Sequence, residues 1–179
     1  MPEPEIQITR LRRGWLLQTE SRLAPPPAEV FPFFADAGNL EQLTPPSLHF
    51  QIRSKLPIEM RAGAILEYRL RLHGMPIFWR TEITEWDPPY RFVDTQVKGP
   101  YKWWIHEHQF LVEDGATRAV DRVQYDLPLA RLLHPLFVRR DLLKIFRYRA
   151  QVIGRLFGES DEGDGDRDSA APAAAGEGS

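Results

Sequence analysis

Between Gly14 and Leu127 apolar and polar residues alternate with a period of two, the pattern of strands that bury one face. Gly14–Leu23 opens the series with Trp15, Leu17, Thr19, Ser21 and Leu23 on one side. Ala24-Pro25-Pro26-Pro27 ends that strand and starts a short helix over Ala28–Ala35, since proline suits a first helical turn. A second short helix is predicted around Asn39–Leu43, stopped by Thr44-Pro45-Pro46. Further strands follow at Leu48–Ser54, Gly63–His73, Ile77–Trp86, Tyr90–Lys98, Tyr101–Glu113 and Ala116–Leu127. From Pro135 to Phe157 the period lengthens to that of a helix, with Val138, Leu142, Ile145, Phe146, Val152, Ile153 and Leu156 recurring on one face. A single sheet cannot bury its inner face alone, and the last helix is the available cover. The pattern therefore predicts an α+β fold in which a curved antiparallel sheet of about seven strands wraps a long C-terminal helix.

Turn positions assign the two faces. A turn at Gly74-Met75 pairs His73 with Pro76, one at Pro88-Pro89 pairs Asp87 with Tyr90, a loop at Lys98–Pro100 pairs Val97 with Tyr101, and one at Asp114-Gly115 pairs Glu113 with Ala116. One face then collects Leu66, Tyr68, Leu70, Trp79, Thr81, Ile83, Glu85, Phe92, Asp94, Gln96, Trp104, His106, His108, Phe110, Val112, Asp121, Val123 and Tyr125. The other carries Arg69, Arg71, Arg80, Glu82, Trp86, Arg91, Glu107, Arg118 and Arg122, as a solvated face should. The first face is expected to lie under the helix. In this register His108 sits opposite Asp121, Phe92 opposite His106, Asp94 opposite both Trp104 and Ile83, and Gln96 opposite Thr81.

Composition narrows the class. The chain has 179 residues, room for one ordinary domain, and 42% are hydrophobic, which suits a folded globule. No apolar run approaches the ~20 residues of a spanning helix. Cysteine is absent, which excludes disulfides, thiolate nucleophiles and cysteine metal sites and is compatible with a reducing compartment. With no basic-then-apolar leader in Met1–Glu5, a cytoplasmic location is expected. The net charge of -2 divides unevenly: residues 159–179 hold seven acids against Arg167, or -6, leaving +4 on the body. A domain over 14–158 with a disordered acidic tail over 159–179 is therefore expected, and no nucleic-acid partner. No Gly-x-Ser-x-Gly, Walker or Gly-x-Gly-x-x-Gly motif occurs.

Four stretches carry a resemblance: Pro26-Pro27-Ala28-Glu29-Val30-Phe31, the run Trp79–Pro89, the segment Phe92–Phe110 with Gly99-Pro100-Tyr101 and His106-Glu107-His108, and Asp121-Arg122-Val123 with Tyr125 and Leu127-Pro128. Through them the chain resembles the START/Bet v 1-like (SRPBCC) helix-grip superfamily, and most of all its bacterial polyketide cyclase/dehydrase-like branch. The resemblance spans about Gly14–Phe157 and implies a cavity between sheet and helix that holds a hydrophobic ligand. It does not imply one chemistry, because members include carriers, cyclases and regulatory modules.

The residues themselves place the chemistry on the inner face. Leu70, Trp79, Ile83, Phe92, Trp104, Phe110, Tyr125 and Phe146 are expected as apolar walls, with Tyr68, Thr81, Asp94, Gln96, His106 and His108 orienting a ligand. Asp94 and Asp121 cannot be buried without partners, and histidine, tyrosine or an inward Arg147 or Arg149 could supply them. Three readings of this patch stand open: a polar network propping the sheet against the helix, a ligand-orienting patch, or an acid–base pair built from His106 or His108 with Asp94 or Asp121. The His106-x-His108 spacing also invites a metal with a third ligand from Asp94 or Asp121. A satisfied histidine pair is preferred, so neither metal nor cofactor is expected. The expected function is to bind a small hydrophobic or lipid-like molecule as a carrier or sensor, with a cyclase/dehydratase-type lyase or isomerase as the alternative. A mere interaction module would instead leave an interior of less than roughly 300 Å³. Arg139, Arg140, Lys144, Arg147, Arg149 and Arg155 make the last helix basic, which allows transient contact with an anionic membrane surface.

Overall fold

The computed structural model describes residues 5–158; the acidic tail expected over 159–179 lies outside the described residues. Eight strands form one antiparallel sheet in the order β1-β2-β8-β7-β6-β5-β4-β3. They are β1 Ile6–Arg10, β2 Trp15–Leu23, β3 Gln51–Ile52, β4 Ile65–Leu72, β5 Met75–Asp87, β6 Arg91–Lys98, β7 Trp103–Glu113 and β8 Ala116–Asp126. Helix α1 spans Pro27–Ala35, followed by a 3-10 turn at Ala37–Leu40. At the far end α2 (Ala130–Leu133), a π segment (His134–Val138) and α3 (Arg139–Phe157) run on without leaving helical backbone. No described helix is long and apolar enough to cross a membrane.

Four differences from the sequence reading have local causes. Strand β1 is an addition: Ile6 and Ile8 alternate over only five residues, and the strand forms because Gly14 lets the chain fold back onto β2. Gly14 has φ +74, and a Cβ there would lie 2.1 Å from the Tyr125 carbonyl oxygen. The strand expected at Leu48–Ser54 shrinks to Gln51–Ile52, because Pro45 and Pro46 set a 3-10 turn and His49 takes a left-handed conformation. The helix expected around Asn39–Leu43 is the earlier turn Ala37–Leu40, capped by Asp36. The C-terminal helix begins before Pro135, whose missing N–H is absorbed by the π segment.

The registers shift in an instructive way. The first hairpin turns at His73-Gly74, so Leu72 meets Met75. Between β6 and β7 the slip is again two residues: Asp94 meets His106 and Phe92 meets His108, in place of Trp104 and His106. A slip of two keeps every side chain on its face. A bulge between Ile83 and Glu85 does not, and it turns Trp86 inward beside Phe31 and Phe92 while Glu85 goes outward to Arg91. Pairings of Ile83 with Asp94, Thr81 with Gln96 and His108 with Asp121 are those expected from the turns.

The apolar interior falls into two clusters. One joins α1 to the sheet through Phe31, Phe34, Leu66, Ile83, Phe92, Phe110 and Ile153; the other gathers Trp15, Leu17, Trp79, Trp104, Tyr125, Leu142 and Phe146. Phe110 is 1% exposed among the rings of Phe31, Phe34 and Phe92, whereas Val112, two residues on, is 65% exposed at the strand end. Truncating Phe110 to Ala is therefore expected to cost about 3–5 kcal/mol in urea unfolding, against less than about 0.5 kcal/mol for Val112→Ala.

Candidate functional site

Between the two apolar clusters the sheet and α3 leave a cavity of about 210 Å³. Tyr68, Leu70, Trp79, Thr81, Ile83, Phe92, Asp94, Trp104, His106, His108 and Phe146 line it, on the face where the alternation placed them. Three residues expected at the wall are elsewhere. Phe110 is spent in the aromatic packing under α1, and Tyr125 is fully buried with its hydroxyl hydrogen-bonded to His134 Nε2 at 3.0 Å. Gln96 instead shapes the β6–β7 loop: its amide donates to the Tyr101 carbonyl at 2.8 Å and its Oε1 accepts from the Tyr101 N–H at 3.3 Å. Those two bonds take the place of the ladder pairing that a shorter loop would have made.

The lining also includes residues outside the strands. Phe34, Leu43, Leu48 and Phe50 come from α1 and the irregular stretch after it, and Leu142, Ile145 and Arg149 come from α3. Arg149 had a legible signal. It lies seven residues after Leu142 and three after Phe146, on the buried stripe Leu142, Phe146, Arg149, Ala150 and Ile153, and so points inward. Arg147 is exposed.

One wall of the cavity is polar. Asp121, on β8, is the hub: Arg149 Nε donates to its Oδ2 at 3.0 Å, while His106 Nε2 and His108 Nδ1 approach its Oδ1 at 3.1 and 2.7 Å. His108 Nε2 lies 3.0 Å from Asp94 Oδ2, and the Thr81 hydroxyl is shared between the Thr95 carbonyl at 3.0 Å and Asp94 Oδ1 at 3.2 Å. His108 also stacks on Phe92 with ring centroids 4.1 Å apart, and the Arg149 guanidinium sits 5.5 Å over the Phe34 ring. Asp94, His106 and His108 border the cavity; Asp121 stands behind them and does not.

Burial alone would push both carboxyls up. For Asp121 the Arg149 guanidinium and the hydrogen bonds of both histidines outweigh it and hold the group well below the usual carboxylate range. Asp94 is lowered through the His108 hydrogen bond, the charges of both histidines and the Thr81 hydroxyl. His108 is buried too, yet its two carboxylate partners raise it, whereas burial and the adjacent His108 lower His106. Partners therefore favour the charged forms of Asp94, Asp121 and His108 against burial, while for His106 burial and the neighbouring His108 both favour the neutral ring. Tyr68, raised well above its ordinary value by burial and by Asp94, stays a phenol.

Two lining residues carry donors: Tyr68, and Trp79, whose Nε1–H is buried with no acceptor among the described residues. Asp94, His106 and His108 also present ligand atoms within 4.8 Å of one another, a spacing that can hold a metal ion.

Removing one member of a buried ion pair strands its partner's charge, so Arg149→Met and Asp121→Asn are each expected to destabilise by about 3–5 kcal/mol. The double variant is expected to lose less than the sum of the two, read from urea unfolding of all four proteins.

Comparison with known proteins follows the same lines. The structure is similar to protein Ms6760 from Mycobacterium smegmatis (TM-score 0.60, 21% identity, 84% of this chain and 97% of that one). It is also similar to protein CV1439 from Chromobacterium violaceum (TM-score 0.64, 12% identity, 81% and 98%) and to Ara h 8.0201, a Bet v 1-like structure (TM-score 0.59, 16% identity, 79% and 95%). At such identities the likeness is one of fold. A search of curated proteins found no match. A family model described as polyketide cyclase / dehydrase and lipid transport matches residues 23–146, from the end of β2 into α3 and across most of the cavity wall. The chain belongs to that polyketide cyclase/dehydrase and lipid-transport family, with the START/Bet v 1-like helix-grip fold.

Proposed function

We propose that the chain binds a small hydrophobic molecule bearing a hydrogen-bond acceptor, as a carrier or sensor. The observation that carries this reading is the aromatic-walled cavity, whose lining residues include Tyr68 and Trp79, the latter with a buried indole N–H that has no acceptor among the described residues. Burying an apolar ligand would supply the affinity at about 25 cal/mol per Å². An acceptor on the ligand would relieve the unpaired Trp79 donor and choose the pose.

Size constrains the ligand. At about 210 Å³ the cavity is below the ~300–1,000 Å³ of drug-sized sites and below the line that separated a carrier from an interaction module in the sequence reading. It exceeds the ~150 Å³ of an apolar cavity that takes benzene. The ligand is therefore one or two rings or a short acyl chain; a long lipid would need the helix to lift. A second reading, a cyclase/dehydratase-type enzyme, is favoured by the placement of Asp94, His106 and His108 on the cavity wall. Against it, their polar atoms other than His106 Nδ1 are already engaged with one another or with Asp121 and Thr81.

An anionic membrane surface is the proposed docking partner. Leu129, Leu132, Leu136 and Phe137 are exposed where the C-terminal helix begins, next to exposed Arg139 and Arg140. Co-sedimentation with phosphatidylserine vesicles is expected to weaken in high salt and in a Leu132→Ser/Leu136→Ser variant; equal sedimentation with neutral vesicles would refute the contact.

The ligand reading is tested by calorimetric titration of metal-stripped protein with 2-naphthol as probe. Binding is expected for the wild type, and Leu70→Trp, which fills the cavity, is expected to weaken it by about tenfold or more with little change in melting temperature. Absence of binding to the folded wild type would return the chain to an interaction module with a closed interior.

A further inference from the structure

The polar wall contains an arrangement that neither carrying nor acid–base chemistry requires. Asp121 Oδ1 meets His106 Nε2 at 3.1 Å, and His108 Nδ1 lies 2.7 Å from the same oxygen. Arg149 Nη2 is also within hydrogen-bond reach of His108 Nδ1, at 3.3 Å. That leaves His106 Nδ1 and His108 Nε2 turned toward Asp94 Oδ2, at 3.6 and 3.0 Å. His106 Nδ1, His108 Nε2 and Asp94 Oδ2 thus converge on one point, where a cation would be within reach of all three.

We propose that Asp94, His106 and His108 form a mononuclear site for a divalent transition metal, open toward the cavity. Donors bound about 2.0–2.2 Å from one ion at tetrahedral or octahedral angles lie ~3.0–3.5 Å from each other; Asp94 Oδ2 lies 3.0 and 3.6 Å from the two imidazole nitrogens, and all three ligand atoms fall within 4.8 Å of one another. The outer contacts also fit. The second ring nitrogens of both histidines lie against one Asp121 oxygen, which Arg149 anchors in turn, and Thr81 Oγ1 sits 3.2 Å from Asp94 Oδ1, which leaves Oδ2 as the ligating atom. All three ligands border the cavity, so the remaining coordination positions face its contents.

Two imidazoles and one carboxylate suit zinc or iron(II) rather than magnesium or calcium, which prefer an all-oxygen set. With neutral histidines, the two carboxylates and Arg149 leave one negative charge, and a divalent ion would turn this to one positive. An anionic oxygen from the cavity, such as a carboxylate, enolate or hydroxide, would restore neutrality. The proposal rests on the cluster alone and not on the ligand reading.

The test uses the full chain, stripped with chelator, loaded with zinc or cobalt(II) and passed through gel filtration. Elemental analysis is expected to find about one equivalent retained, and cobalt(II) to give visible d–d absorption from imidazole ligation. Asp94→Asn and His106→Gln are expected to abolish both signals, with circular dichroism confirming their fold. Thr81→Val, which removes only the hydroxyl behind Asp94, keeps the ligands should those variants unfold, and is expected to weaken zinc by about 10–100-fold. His73→Gln, at the exposed His73–Asp141 pair, is expected to change nothing. A wild type that retains no metal overturns the proposal, and so does retention unchanged in the folded ligand variants. Neither result bears on 2-naphthol binding by the stripped protein.

Discussion

Asp121 is the constraint on which the interior depends. A carboxylate on the concave face of a sheet that a helix must cover loses its water and needs donors in return. Arg149 reaches down from α3 to supply one, and His106 and His108 reach across from β7 to supply two more. The helix is thereby tied to the sheet at a defined point along its length and a defined rotation about its axis. Apolar packing alone is less directional and tolerates sliding that a paired guanidinium and carboxylate do not.

The same pairing explains why the interior is not filled. Apolar side chains pack densely on either side, under α1 and toward the start of the C-terminal helix, but they cannot close over the polar cluster without burying unpaired groups. The hollow lies where the two clusters fail to meet. Its walls are then necessarily mixed: rings on most sides, and on one side a compact set of charges that nearly cancel. That combination gives the family's fold a binding cavity while leaving its chemistry to a few side chains.

Most of the fold was legible because it rests on periodicity. The face of each inner residue survived the errors at the Gly74-Met75 and Lys98–Pro100 turns, since each moved the pairing by two residues and the side-chain period is two. At Pro88-Pro89 the error was one residue, because Asp87 pairs with Arg91 in place of Tyr90; from there to the bulge near Thr84, the residues Glu85 and Trp86 exchange faces, and no local pattern marked it. The strand at Ile6–Arg10 was missed for a related reason: five residues give too few alternations, and its partner strand supplies the rest.

By itself, the sequence determined the α+β class, the sheet-and-helix order, the polar and apolar faces and the presence of two acids and two histidines beneath the helix. Only the tertiary structure decided who meets whom. The pairing of Asp94 with His106 depends on how Gln96 and Tyr101 build a loop, and the meeting of Arg149 with Asp121 depends on where α3 lies along β8. The withdrawal of Phe110 and Tyr125 from the cavity wall, and the size of the cavity itself, depend on how two separate clusters pack. These are sums over contacts distant in the chain. Alternation along a strand records which way a side chain points, but it carries no information about what arrives from the other end of the chain to meet it.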